Sequence, residues 1–366
     1  IKFHRNDIVE YLEPNPFEAF TYCVKHDNIE CLIKCLEKMN SDRKNELSFD
    51  EVFLKVCFHS VKKNFPEITK ILCYLCPDCV NEHDFNHQYM IHRAINCNYN
   101  SIAKFLCNFD HSDLNVTNGE IDTPLICAVR MKNIEIVQIL CDNEKVDLNA
   151  QNFSENTAMH VALNGSSIDI IKILISHKNR LDTLMKNNQQ LTYMHFAIMT
   201  KNLEIVKLIN GLDDKLHLLG NKTNATPLIY AVSYGTPEIV DYLSKFDDVD
   251  VNFKNCHGIS SLHLAIENPQ ILVILCNHSK IELNIRNDQG NSPLHLASSK
   301  GKIESVKILV GFNDVDINAL NDFNNTPLFL AAQNGYVEIV KFLCSQKSID
   351  IKIKNKAGIF IFFMFL

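Results

Sequence analysis

Several things are scarce in this chain of 366 residues. Glycine numbers 11, and no run of lysine or arginine exceeds two residues. With a formal charge of −7, the lack of basic runs argues against a nucleic-acid or anionic-membrane surface as the main role. No apolar stretch reaches the length of a membrane span. No signal peptide is visible either, although the chain begins at Ile1 and its true N-terminus is expected to lie upstream. Asn224-Ala225-Thr226 fits a glycosylation acceptor pattern, but without a secretory context it reads as a turn. The 14 cysteines are scattered with no paired framework, which fits a reducing compartment and a cytoplasmic protein. There is no Gly-rich phosphate loop, His-Glu-x-x-His or Ser nucleophile elbow. No catalytic residue is therefore assigned, and no enzyme and no cofactor are expected.

Asparagine, by contrast, makes up about one residue in nine. It can serve left-handed turn positions that glycine would otherwise fill, and the Asn/Ile/Lys skew reads as coding bias as much as function. The most informative stretch is Asn291 to Cys344, because its second half restates its first. SPLHLASSKGKIESVKILV and TPLFLAAQNGYVEIVKFLC lie 34 residues apart. Ser292 and Thr326 suit the N-cap of a first helix, and Pro293 and Pro327 its first position, where a missing N–H costs nothing. Ala297 and Ala331 let an antiparallel partner approach closely, and that second helix starts soon after Gly301 or Gly335.

This unit resembles the ankyrin repeat, with its period of about 33 residues and its T-P-L-H-x-A signature. The signature reads S-P-L-H-L-A in one copy and T-P-L-F-L-A in the other. The register continues backwards. The cap recurs at Tyr89, Thr123, Thr157, Thr192, Thr226, Ser260, Ser292 and Thr326, spaced 34, 34, 35, 34, 34, 32 and 34. Five residues after each cap stands an alanine, from Ala94 to Ala331, and the second helix is anchored at Leu106, Leu140, Leu174, Ile209, Leu243, Leu275, Leu309 and Leu343. The 32-residue spacing falls at Ile266-Glu267-Asn268-Pro269, where the break between helices has lost two residues.

The expected fold is all-α: an ankyrin-type solenoid of about ten stacked helix-turn-helix repeats with β-hairpin-like fingers and no continuous sheet. Residues 1–14 read as a loosely ordered leader, 15–85 as two degenerate repeats, 86–349 as eight repeats, and 350–366 as an incomplete repeat with an apolar tail. Within the degenerate pair, Asn15-Pro16 opens one helix and Ser48 with Glu51 makes a capping box ahead of the helix Phe49 to Val61, with Pro66 starting its partner. The tail Ile359 to Leu366 reads as a truncated or frame-shifted end, or as an apolar segment that docks on the last repeat or a partner. Its eight residues are too few to span a bilayer.

The resemblance also implies a finger led in by the Asp/Glu-x-Asn connectors at Asp113, Asp147, Asp250, Glu282 and Asp316. Two residues before the cap the family favours a left-handed glycine. Gly258 and Gly290 supply it and Asn224 and Asn324 substitute, whereas Ile121, Glu155 and Gln190 depart, so those three fingers are expected to deviate in geometry.

Two constellations invite chemistry. Cys73-x-x-Cys76-x-x-Cys79, followed by His83 and His87, has zinc-ligand character. Yet Cys73 shares its register with Cys107, Cys141, Cys276 and Cys344, and with Ile175 and Val310, which marks a small apolar core position and no metal site. His92, His160, His195, His263 and His295 all fall three residues after a cap, where Ile126, Ile229 and Phe329 stand in other units. The resemblance implies that these histidines hydrogen-bond neighbouring units.

What remains is surface. The resemblance implies a non-catalytic protein-binding scaffold or adaptor acting through its concave face, with one or more protein partners, no nucleic acid and no membrane span, and a monomer is expected. The alternative is the targeting arm of a larger enzyme or channel subunit. Finger tips lie three and four residues before each cap: Phe153-Ser154, Asn188-Gln189, Lys222-Thr223, Cys256-His257, Asp288-Gln289 and Asp322-Phe323. These residues other than Cys256 are the candidate partner-binding set, with His257 and Gln289 among the polar contacts. Phe153 and Phe323 break the polar pattern, and the favoured reading folds each ring back onto its own unit, the other leaving it free for a partner.

Overall fold

The computed structural model describes residues 22–24, 29 and 49–359. The leader, the Asn15-Pro16 helix, the Ser48/Glu51 capping box and the tail beyond Ile359 lie outside the described residues and side chains. The chain falls into two compact units, Ile1–Asp182 and Thr183–Leu366.

In the first unit the described helices come in antiparallel pairs: α1 (Phe49–Lys62) with α2 (Pro66–Leu75), α3 (Met90–Asn96) with α4 (Asn100–Asn108), α5 (Pro124–Arg130) with α6 (Ile134–Asp142), and α7 (Ala158–Asn164) with α8 (Ile168–Ser176). First helices pack on first helices, and second on second, so the unit is two rows of rods with the core between them. The second unit repeats the plan with α9 (Tyr193–Met199), α10 (Leu203–Asn210), α11 (Pro227–Tyr234), α12 (Pro237–Ser244), α13 (Ser261–Ala265), α14 (Pro269–Cys276), α15 (Pro293–Ser299), α16 (Ile303–Val310), α17 (Pro327–Gln333) and α18 (Val337–Cys344). The family-type solenoid is thus built in each unit, with only isolated bridges and no strands among the described residues. α13 has five residues because the break at Ile266–Pro269 is two residues short.

From α3 onward the first helices have five to eight residues, too short to be stable alone, so packing must carry them. All eight alanines of the register are buried, as are all eight second-helix anchors, Leu106 through Leu343. Every residue from the cap series, Tyr89 to Thr326, is the N-cap of its first helix. Thr123, Thr226, Ser292 and Thr326 accept a hydrogen bond from the backbone N–H three residues on. Tyr89 makes no such bond.

The three fingers expected to deviate do not. Ile121, Glu155 and Gln190 take φ of +60°, +56° and +59°, matching Asn224 and Asn324 and close to Gly258 and Gly290. A left-handed residue with a side chain costs about 1–2 kcal/mol. The offset comes from an asparagine five residues before the cap. Oδ1 of Asn118, Asn152 and Asn187 accepts two backbone N–H bonds across its turn, at 2.9–3.1 Å. The same staple recurs at Asn221, Asn255, Asn287, Asn321 and Asn355, and Asp84 makes it in the finger before α3.

One core position is also corrected. Cys73, Cys107, Cys141 and Cys276 are buried, but Cys344 is exposed. It lies on α18, and among the described helices none follows to pack over it.

Candidate functional site

Most recurring polar residues are consumed by the fold, and the site is found by subtracting them. The connector asparagines each reach one unit forward. Nδ2 of Asn115 donates to the Lys145 carbonyl at 2.8 Å while its Oδ1 accepts from Asp147 N–H at 2.8 Å. Asn81, Asn149, Asn252, Asn284 and Asn318 do the same to the helix pair that follows. The asparagine excess is therefore structural twice over, in the finger staple and in this ladder. Its fixed phase in the sequence was the signal, and reading the excess as coding bias concealed it.

The histidines are equally committed. Nε2–H of His92, His195, His263 and His295 donates to the carbonyl of the residue before the next cap, Asp122, Ala225, Asn291 and Asn325, at 2.9, 3.2, 3.0 and 3.0 Å. In His195, His263 and His295 the Nδ1 atom accepts from the N–H of its own cap residue at 3.2–3.3 Å, which selects the Nε2–H tautomer. His160 makes the same capping box with Thr157. An imidazole with both nitrogens engaged this way is neutral, and burial pushes His92, His195 and His295 down to about 4 and lowers His263 as well. Such groups hold neighbours together, and His195, His263 and His295 have no lone pair left over, whereas Nδ1 of His92 is buried without a hydrogen-bond partner among the described residues.

Cys73 and Cys79 are buried and Cys76 half-buried. Burial raises the thiols of Cys107, Cys127, Cys141 and Cys276 to about 12, as expected of apolar core positions. Among the described residues no group of three or more His, Cys, Asp or Glu side chains has the arrangement of a metal site.

The exposed side chains gather on the fingers and on the C-terminal ends of the first helices, although Asp322 pairs with Arg286, Thr223 donates to Asn221 and Gln289 accepts from Asn291. Asn188, Gln189, Lys222, Thr223, Cys256, His257, Asp288, Gln289, Asp322 and Phe323 are exposed, and Ser154 is half-buried. Phe153 and Phe323 do not fold back: their rings are 80% and 59% exposed. Tip N–H groups are tied to the preceding finger. Phe153 N–H donates to Glu120 O, Cys256 to Thr223, Asp322 to Gln289 and Lys356 to Phe323, at 3.0–3.4 Å.

Phe85 occupies the same phase, four residues before Tyr89, and is 89% exposed. The tips read from the sequence begin at Phe153 and do not include it. Met131, Met199 and Tyr234, at the C-terminal ends of α5, α9 and α11, add further exposed apolar groups. On the first helices of the second unit, Tyr230, Leu264, Leu296 and Leu330 share one register position and are each only half-buried.

The family model described as ankyrin repeats (3 copies) matches residues 57–152, 144–215, 209–287 and 268–355. No curated protein matches the chain.

Proposed function

Because the chain belongs to the ankyrin-repeat family, whose repeats generally mediate protein–protein interaction, we propose that it is a non-catalytic cytoplasmic scaffold or adaptor. In this reading, protein partners are gripped by the face of each unit that carries the fingers and first helices, and the chain works as a monomer. No helix among the described residues is long and apolar enough to cross a membrane.

The observation that carries the reading is the division of labour among side chains. Recurring His, Asn, Ser and Thr are spent on caps, staples and ladders, whereas Phe153 and Phe323 stand exposed on turns already held by other groups. Exposed aromatic rings flanked by polar residues fit the anchor-and-rim pattern of protein interfaces, where losing an anchor costs about 2 kcal/mol or more.

The test uses any partner recovered by pull-down with the full chain. Phe153→Ala and Phe323→Ala, with the polar tips Lys222, His257 and Gln289 as further alanine positions, are expected to weaken that partner's binding and leave the thermal midpoint nearly unchanged. A lowered midpoint with binding spared would make the rings structural and place the interface elsewhere.

A further inference from the structure

Four cysteines of the first unit meet where α1, α2 and the following turn converge. Cys57 comes from α1 and Cys73 from the last turn of α2. Cys76 caps the C-terminus of α2, and Cys79 sits in the 3₁₀ turn Pro77–Asn81. The Sγ atoms of Cys57 and Cys79 are 3.6 Å apart and buried. Cys73 and Cys76 bring two further thiols to the same turn. Elsewhere the buried cysteines of the register are isolated thiols with no sulfur partner among the described contacts.

We propose that Cys57 and Cys79 are a peroxide-oxidisable pair that closes to an intramolecular disulfide linking α1 to the 3₁₀ turn. In the first step the Cys79 thiolate attacks hydrogen peroxide: an S–O bond forms, the O–O bond breaks, and hydroxide leaves, giving Cys79 sulfenic acid. In the second, Cys57 sulfur attacks the Cys79 sulfur; the S–S bond forms as the S–O bond breaks, and the departing hydroxyl takes the Cys57 proton as water. Two thiols are oxidised and one peroxide is reduced to two waters. The sulfur pair needs to close from 3.6 Å to about 2.05 Å, a movement smaller than most rotamer changes.

Cys79 is the attacking group because it is the member of the pair that keeps surface on solvent, and hydrogen bonding from neighbouring thiols, Cys57 foremost, lowers its pKa. Cys57 is pushed the other way by burial, so it stays a thiol until it resolves the sulfenic acid. Cys79 keeps 4% of its surface, Cys57 none, and half-buried Cys76 gives the cluster its edge on solvent. The bond would staple the turn whose Asn81 side chain holds His111 and Asp113 of the next helix pair. Oxidation would therefore stiffen that end of the unit by constraining the loop between the two cysteines.

The experiment treats the fully reduced, full-length chain with hydrogen peroxide, blocks remaining thiols and maps peptides by mass spectrometry. A Cys57–Cys79 cross-linked peptide is expected, forming on the order of tenfold faster in the native protein than in urea, since folding supplies the proximity. Cys57→Ala should abolish the Cys57–Cys79 cross-link, with unchanged helical circular dichroism. If that variant does not fold, the native-against-urea comparison on the wild-type chain still decides. The proposal is overturned if Cys57 and Cys79 stay reduced while exposed Cys97 and Cys256 oxidise, if the link joins other cysteines, if unfolding does not slow it, or if the purified protein carries stoichiometric zinc on these thiols.

Discussion

Thr226 shows how much of this fold rests on single polar atoms. Its hydroxyl oxygen accepts from Ile229 N–H at 3.4 Å, occupying one of the donors that a helix start leaves without a partner. The unit has isoleucine where others have histidine, so no imidazole completes a capping box here. Thr226→Ala should therefore lower stability by about 1 kcal/mol, read as a shift of the urea midpoint at constant slope. Hydrogen exchange should loosen from Asn224 to Val249, because each helix pair touches chiefly its neighbours. Uniform loosening across the unit would show that the stack behaves as one cooperative block.

At the scale of an element, the finger is decided by one acceptor atom. In Asn287 it takes Gln289 N–H at 3.0 Å and Asn291 N–H at 2.9 Å, and Asn291 is buried. Asn287→Ala leaves both amides without that partner and should cost about 1–3 kcal/mol. Asn287→Asp keeps the acceptor, and Asp84 already makes the same pair of bonds in another finger, at 2.9 and 3.0 Å. The aspartate variant should therefore lie within about 0.5 kcal/mol of wild type. Equal damage from both substitutions would mean that the amide Nδ2 matters more than the staple. This device explains why the sequence misjudged three fingers. The glycine position was legible from the family pattern, but the staple that lets Ile121, Glu155 and Gln190 take glycine's place lies three residues earlier and was counted only as composition.

For the molecule as a whole, the buried histidines set the acid limit. His92, His195 and His295 are held near 4 by burial, and His263 is also lowered, while an unfolded chain protonates them near 6.5. The unfolded state therefore binds more protons between those values. Their contribution is fully present above about pH 6.5 and is lost as the pH falls towards about 4, at up to about 1.4 kcal/mol per pH unit for each histidine. Denaturant midpoints should fall steadily from pH 7 to pH 4.5. His195→Phe should flatten that slope, since Phe329 fills the equivalent place in another unit as a buried core residue. A midpoint unchanged across this range would mean that the histidines are not buried as neutral groups.

Periodicity alone determined the helix pairs, their caps, the alanine contacts and the second-helix anchors, because a repeat can bury its apolar face only against its neighbours and so must place the same residue types at the same phase. The histidine ladder was likewise readable from phase, through the resemblance. Exposure was decided only by tertiary structure. Phe153 and Phe323 stand exposed on turns whose tip amides are tied to the preceding finger, and Cys344 is exposed where its register mates are buried. The Cys57–Cys79 contact joins residues 22 apart and lies off the repeat phase, so no period announces it. The exposure of a side chain escapes the period for one physical reason: the repeating hydrogen bonds and core contacts do not fix the groups they do not use.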